Sequence, residues 1–344
     1  MKHKGLIISI LVVITVATVY LCHSYHRLMI GNLHSIDGNK HEINVYPGTS
    51  IDSLIEKISE YYIIDAPRTL RDHIKYLKFH NPEPGHYVIP SKCADYDLIQ
   101  MFRIGQQTPI KITFNNIRTI EQMSSRLSNQ LMTDSISFDS MFRDTAFLAT
   151  YGLNQATAMV FFLPDTYEVY WTITPQRFFE RMKAEYEHFW TEHKLRFAAK
   201  INLSPIEVST LASIVEEENI SHPQEWRTIA GLYLNRLKIG MPLQADPTVK
   251  YAIGDFTISR VLNKHLEVES PYNTYKIKGL PPGPIRVPSR KALDSVLNYS
   301  QHSYLYMCAD WHMNGYHLFA RTSAEHARNA RMYQNQLNKR KIYK

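Results

Sequence analysis

The stretch SPIEVSTLASIVEEEN, residues 204–219, opens on a helix start and closes on three carboxylates. Ser204 can cap the first turn, Pro205 fits the first helical position, where an N–H has no partner anyway, and Glu207 completes a capping box. Val208, Leu211, Ala212 and Val215 then recur at helical spacing and form one apolar face. At about 100° per residue, Glu217 projects about 160° from the centre of that face and Glu216 about 100°. Glu218 lies only about 60° away, one step beyond Leu211, Ile214 and Val215, so of the three it is expected to point inward. A carboxyl among apolar neighbours loses solvation of its charged form, and the negative end of the helix dipole adds to this, so its pKa rises. Such a Glu can hand its proton to a leaving-group oxygen, the acid step in breaking a glycosidic bond. On pattern alone, however, three glutamates at a helix end read more readily as a solvated terminus.

Downstream, Pro223 to Lys238 reads as a second helix with Ile229, Ala230, Tyr233, Leu234 and Leu237 on one face, ending at Gly240. The stretch LQADPTVKY reads as an apolar loop carrying Gln244, Asp246 and Thr248. Amides, hydroxyls and rings are what sugar recognition uses, so Asn219, Asn235, Gln244, Asp246, Thr248, Tyr251, Tyr272, Asn273 and Tyr275 are candidate substrate-binding residues. Each also has a local reading, as a turn or a core residue. In Gly279-Leu280-Pro281-Pro282-Gly283-Pro284 the prolines stiffen the backbone and the glycines permit close approach. Tyr304–Met307 and Tyr316–Phe319 read as a hairpin around Asn314-Gly315, and Thr322 with Glu325 starts a terminal helix. His317 and His326 have no role that the pattern assigns.

Upstream, Lys111–Phe114 reads as a strand, Arg118–Leu131 as a helix, and 134–190 as mostly helical around the aromatic run FFLPDTYEVYW. Between His41 and Gln107 the spacing gives a strand (Glu42–Tyr46), a helix capped by Thr49-Ser50, a second strand (His86–Ile89) and a helix with Leu98, Ile99, Met101 and Phe102, elements that suit a small strand–helix–helix–strand binding module. The run VYPGTSIDSLIEKIS resembles the start of LysM domains, which bind amino-sugar polymers.

At the amino terminus, Gly5–Cys22 carries no charge over its whole length, and roughly 17–25 such residues span a bilayer. Its exit is bulky (Tyr20, Leu21, Cys22), unlike the small-residue cleavage site of a signal peptide or lipoprotein, so a retained anchor is expected. Lys2 and Lys4 precede it and Arg27 follows, which places the tail in the cytoplasm and the rest outside. With 39 Lys and Arg against 32 Asp and Glu, the net charge is +7, which favours anionic surfaces. The basic residues are scattered and no nucleic-acid motif occurs, so nucleic acid is not an expected partner. Three cysteines make neither a disulfide framework nor a metal knuckle, and nothing in the sequence supports pairing Cys93 with Cys308. Despite 16 His, no HExxH zinc spacing and no GxSxG elbow is present.

LASIVEEEN, then NRLKIGMPLQADPTVKYAIG, then SPYNTYKIKGLPPGPI, in that order and spacing, closely resemble the endolytic murein transglycosylase (YceG-like) family. FFLPDTY upstream and the YLYMCAD…HLFARTSAEH tail fit it too, so the resemblance covers roughly residues 40–335 and is strongest from Leu211 onward. It implies that Glu218, the last acid of its segment, is catalytic. That family often has Thr or Ser next, where this chain has Asn219. The implied reaction cuts the MurNAc–GlcNAc β-1,4 bond of peptidoglycan without water and leaves a 1,6-anhydro end, ending nascent strands during wall synthesis. It needs no cofactor, no metal and no second carboxylate, because the nucleophile belongs to the sugar. The rival readings are a hydrolytic muramidase using Asp246 or Glu216 as partner, and a non-catalytic wall-binding scaffold that meets wall-synthesis proteins.

The expected architecture is therefore α+β: a cytoplasmic tail (1–4), a single transmembrane helix (5–22), a small LysM-like α/β module (41–110), and a mixed α+β catalytic domain (111–338) outside the inner membrane.

Overall fold

The computed structural model describes residues 2–340; of the expected tail, Met1 lies outside the described residues, as do the side chains of 2–4. The uncharged run folds as one helix, α1 (Lys2–Met29), longer than the apolar span itself. From Gly5 to Met29 it is long and apolar enough to cross a membrane, and its apolar side chains from Leu6 to Leu21 are exposed. Its last turns are polar and hydrogen-bonded: Ser24 Oγ lies 2.9 Å from His73 Nε2, and Arg27 donates to Asp65 at 2.6 Å. One N-terminal apolar helix of this kind fits a single-pass membrane anchor.

Residues group into two units. The first takes in the described residues up to Ile112 with Gln130–Met132 and Tyr167–Ile173. After α1 it runs β1 (Leu33–Ser35), β2 (His41–Val45), α2 (Ile51–Ser59), β3 (Tyr62–Ile64), α3 (Pro67–Tyr76), β4 (Gly85–Ile89), β5 (Lys92–Cys93) and α4 (Asp95–Arg103). Strands β2 and β4 pair antiparallel from His41 opposite Ile89 to Val45 opposite Gly85, and β1 is flanked by β3 and β5. Ser50 caps α2, as its sequence announces. The alternation of β2 and the helical spacing of α2 and α4 send Val45, Leu54, Ile58, Tyr87, Ile89 and Phe102 into one core. The two strands and two helices read here are present as β2, β4, α2 and α4, while α3, between α2 and β4, is a helix that the sequence reading did not place.

Unit two comprises Thr113–Asn129, Thr133–Thr166 and the described residues from Thr174 onward. The chain continues through β6 (Ile110–Phe114), α5 (Ile120–Ser128), α6 (Ser135–Arg143), α7 (Thr145–Ala149) and β7 (Asp165–Val169). There follow α8 (Pro175–Phe189), α9 (Glu192–Lys200), α10 (Pro205–Glu218), α11 (Trp226–Lys238), α12 (Asp246–Ile253), α13 (Asn263–Leu266) and α14 (Arg290–Leu297). A hairpin of β8 (Tyr306–Ala309) and β9 (His317–Ala320) precedes α15 (Ser323–Lys339). The fold is mixed α+β. The aromatic run before β7 belongs to the core: Phe162 has no exposure and packs at tilted or edge-on angles against Phe114, Phe142, Phe178 and Phe179.

The central element is α10. Its capping box forms as read, with Ser204 N donating to Glu207 Oε2 at 2.8 Å and Glu207 N to Ser204 Oγ at 3.3 Å. Val208, Leu211, Ala212 and Val215 are fully buried, but so are Ser209 and Ser213. Helices α9, α11, α12 and α14 all pack against it, so it has no solvated face and the expectation of a one-sided amphipathic helix is corrected. Its internal hydroxyls are satisfied locally: Ser209 donates to Pro205 O at 2.9 Å and Ser213 to Thr210 O at 2.7 Å.

The stretch read as the loop LQADPTVKY is helical from Asp246 onward, where α12 starts, with Pro247 in its first turn and Gly254 in the left-handed region (φ 78°) ending it. An Asp-Pro pair reads as a turn, yet Pro suits a helix start as well, and packing on α10 decides between them. In the proline-rich loop, Gly283 is a position where a close approach is real: a Cβ there would sit 2.0 Å from Ala156 O. Because that neighbour is backbone, Gly283→Ala is expected to destabilise the protein by about 1–3 kcal/mol. Denaturant unfolding of the two proteins checks it.

Candidate functional site

Residues from α10, α11, α12 and the terminal hairpin enclose a cavity of about 300 Å³, lined by Glu218, Tyr233, Arg236, Gln244, Asp246, Tyr275 and His317 among others. Glu218 is the last residue of α10, where the helix dipole opposes a negative charge. Part of it stays open to the cavity, while the carboxyl itself is closely surrounded by protein. Burial pushes it up to about 7, against the lowering effects of the Tyr233 hydroxyl and of the charges on His317 and Lys250. Tyr233 O–H donates to Glu218 Oε1. Asp246, on the same cavity wall, works in the opposite direction and raises it further.

Neighbouring acids behave otherwise. Glu216 is the most enclosed of the three, 7% exposed, and Glu217 is also largely covered. Glu217 takes two hydrogen bonds from Arg118 (2.9 and 3.1 Å) and one from Arg286 (2.9 Å). Glu216 accepts from Ser289 N at 2.7 Å, with Arg286 Nη2 at 3.6 Å. The inward direction therefore does not single out Glu218, as the helical wheel suggests. What sets it apart is its company: two acids face arginines, and the third faces a phenol and an open cavity.

Of the nine candidate binding residues, three line this cavity. Gln244 does so with a left-handed backbone (φ 50°), its Oε1 3.3 Å from Arg236 Nη1. Asp246 accepts from the Tyr275 hydroxyl at 2.6 Å, and both face the space beside Glu218. Four others are turned into the scaffold behind it. Asn219 donates to Glu225 Oε2 (2.8 Å) and Gly315 O (2.9 Å). Asn235 donates to the carbonyls of His302 and Tyr304. Thr248, with no exposure, bonds Ala245 O and Thr274 Oγ1, and Asn273, also unexposed, holds the carbonyls of Leu266 and Val268. These bonds go to scaffold carbonyls, the Glu225 carboxylate and the Thr274 hydroxyl, and none of the four lines the cavity beside Glu218.

Tyr251 and Tyr272 meet as tilted rings, centroids 4.7 Å apart, in a different cavity of about 550 Å³, with Phe256, Arg143 and Glu121. Although larger, it holds one carboxylate only, Glu121, which hydrogen bonds at its own backbone N–H, and then from Thr119 and Arg143, hold below the usual range. The shift holds Glu121 toward its carboxylate, the opposite direction to Glu218 in the smaller cavity.

Sequence reading missed Tyr233, Arg236 and His317 at this site. Tyr233 sits on the helical face assigned to the core and is 1% exposed, but a buried phenol needs a partner; that need was the available signal. Arg236 is locked by Leu305 O (2.6 Å) and Leu243 O (2.7 Å), closing the floor. Cys93 is buried in the first unit and Cys308 lies on β8; both are free.

A family model described as YceG-like family matches residues 43–332. The endolytic murein transglycosylase of Bacillus subtilis is 27% identical over 314 residues, covering 87% of this chain and 86% of that one. Its namesake from Streptococcus pneumoniae is 24% identical over 371 residues, covering 96% of this chain and 66% of the longer relative. Among solved structures, a YceG-like protein from Listeria monocytogenes superposes with a TM-score of 0.57 at 25% identity, over 84% of this chain and 98% of that one.

Proposed function

The chain belongs to the YceG-like family, and from that premise we propose that it is an endolytic lytic transglycosylase of peptidoglycan, with Glu218 as its single acid and base. The observation that carries the reading is a Glu brought to about 7 by burial in a polar cavity, with Tyr233 donating to it. Protonated Glu218 gives its proton to the glycosidic oxygen as the bond from MurNAc C1 breaks. The resulting carboxylate takes the proton of the same sugar's C6 hydroxyl, whose oxygen closes on C1. Bonds and protons balance without water, and the acid returns to its starting state. Tyr233 holds the carboxyl in place through both steps. Gln244, Asp246 and Tyr275 supply hydrogen-bonding groups to the sugar.

Relatives named endolytic murein transglycosylase support the substrate. With α1 as anchor and the positive residues before it inside, the catalytic unit faces the wall, and the β2–α2–α3–β4 module serves as a wall-binding part.

A hydrolase would need a second carboxylate to activate water. Glu216 is spent on Ser289 N and Arg286, which leaves Asp246 as the one alternative partner in the cavity. Mass spectrometry of products from purified glycan strands decides between them: anhydro-ended fragments are expected, and fragments heavier by one water would sink the proposal.

A further inference from the structure

His317, the first residue of β9, is held by both oxygens of one buried carboxylate. Its ring Nδ1 lies 2.9 Å from Glu225 Oε2, and its backbone N donates to Glu225 Oε1 at 2.9 Å. Asn219 Nδ2 completes the set, donating to the same Oε2 at 2.8 Å and to Gly315 O at 2.9 Å. Glu225 and His317 side chains are 9% and 16% exposed. With Nδ1 committed as donor to Glu225, Nε2 is left without a partner among the described residues, on a ring that lines the Glu218 cavity. This is how a carboxylate fixes the orientation and tautomer of an imidazole whose other nitrogen works elsewhere.

Connectivity makes the arrangement specific to the site. Asn219 directly follows Glu218, Glu225 sits in the short 3-10 turn before α11, and α11 carries Tyr233. The same few residues thus tie the end of α10, the start of α11 and the hairpin into one frame around the acid.

We infer that His317, oriented by Glu225, is a positioning residue of the transglycosylase site, whose imidazolium stabilises the carboxylate that Glu218 becomes on giving up its proton. The inference rests on the reading of Glu218 as the acid. Other charged or titratable groups facing Glu218 are Tyr233 and Arg236 from α11, Asp246 and Lys250 from α12, and Tyr275 from the loop after α13. Cys308 on β8 lines the same wall. Facing His317 are Glu225 and Glu218, with His222 next along, beside Tyr316. Burial alone would push His317 down, but the Glu225 hydrogen bond and the charges of Glu218 and Glu225 raise it. Glu225, despite burial, is held below the usual range by the ring, by the backbone N–H of His317 and by Asn219. Both shifts favour the charged form of the pair, an imidazolium held against a carboxylate beside Glu218.

The sign follows. A cation beside Glu218 favours its carboxylate, so removing the cation keeps Glu218 protonated to higher pH. In His317→Gln the alkaline limb of kcat/KM is expected to move up by about one pH unit. Glu225→Gln, which keeps the ring but lets it go neutral, should move the limb in the same direction. A residue that only braces the hairpin would lower the rate equally at every pH. An unmoved limb in both variants, or failure of both to fold by circular dichroism, assigns the pair to the scaffold and overturns the inference. The parallel Glu218→Gln protein separates the two levels: if it remains active, the acid itself is misassigned, whatever His317 does.

Discussion

Glu218→Gln is expected to lose about 10²–10⁴-fold in turnover of purified glycan strands, the range that one positioned acid–base group contributes. The amide keeps the shape of the side chain and can still accept from Tyr233, so the loss reports the proton and not the packing. Wild-type activity should fall as pH rises through about 7, where Glu218 gives up its proton, and this limb should be absent from whatever activity the variant retains. The same substitution has an opposite effect on stability. Glu218 has a folded pKa of about 7 against an ordinary value of 4.5, so the native state binds more protons than the unfolded chain between those limits. Stability therefore declines as pH rises through that window and stays reduced above it, by ~3 kcal/mol. Gln removes that penalty. At pH 8 the variant should unfold at higher denaturant than the wild type, and at pH 4 the two should coincide. An inactive protein that is also less stable at pH 8 would mean that the substitution damaged the frame.

How far the sequence discloses this site depends on the kind of physical signal each residue carries. Ser204, Pro205 and Glu207 act on their own turn, so the start of α10 is legible from four letters. Helix α1 is legible for a related reason: an uncharged run long enough to cross a bilayer is written in the letters themselves. The interior of α10 is not. A wheel assumes one wet face, and packing by four other helices leaves α10 without one, so the direction of each Glu carries less information than its partners do. Those partners are far away in the chain. Arg118 is 99 residues from Glu217 and Arg286 is 69, and a separation of that order leaves no periodic trace. Asparagines and threonines mislead for another reason. Buried backbone carbonyls and sugar hydroxyls ask for the same amide and hydroxyl groups, so Asn235, Thr248 and Asn273 look alike for either task until the fold says which they face. His317 is the converse, a working ring with no local pattern around it, because its partner Glu225 lies 92 residues earlier.

Arg286→Ala is expected to have the largest effect on stability of any single change outside the cavity, about 3–5 kcal/mol. The guanidinium is 5% exposed. It donates to Glu217 at 2.9 Å and Asn116 at 3.2 Å, with Glu216 at 3.6 Å. Removing it leaves Glu217 to Arg118 and leaves Glu216 with the Ser289 N–H and no ion-pair partner among the described residues. Burial already raises Glu216, and Arg286 is the first of the groups that hold it down. Without Arg286, Glu216 rises further, so the destabilisation should be greatest at neutral pH and shrink as pH falls and Glu216 takes up a proton. Arg286→Lys should recover only part, since an ammonium cannot span the two carboxylates as a planar fork does. The informative comparison is Arg286→Met with Glu216→Gln. If the arginine's main task is to neutralise a buried acid, the double variant regains much of the loss, because a neutral amide no longer needs a counter-ion. Should the double variant be as unstable as the sum of the singles, the arginine would matter for its own contacts to Asn116 and Glu217. Activity follows a different course. Glu216 and Glu217 are the two residues before Glu218 on the last turn of α10, so the ion network fixes the turn from which the acid projects. A double variant restored in stability but still slow on glycan strands would show that the network positions Glu218 as well as holding the helix down.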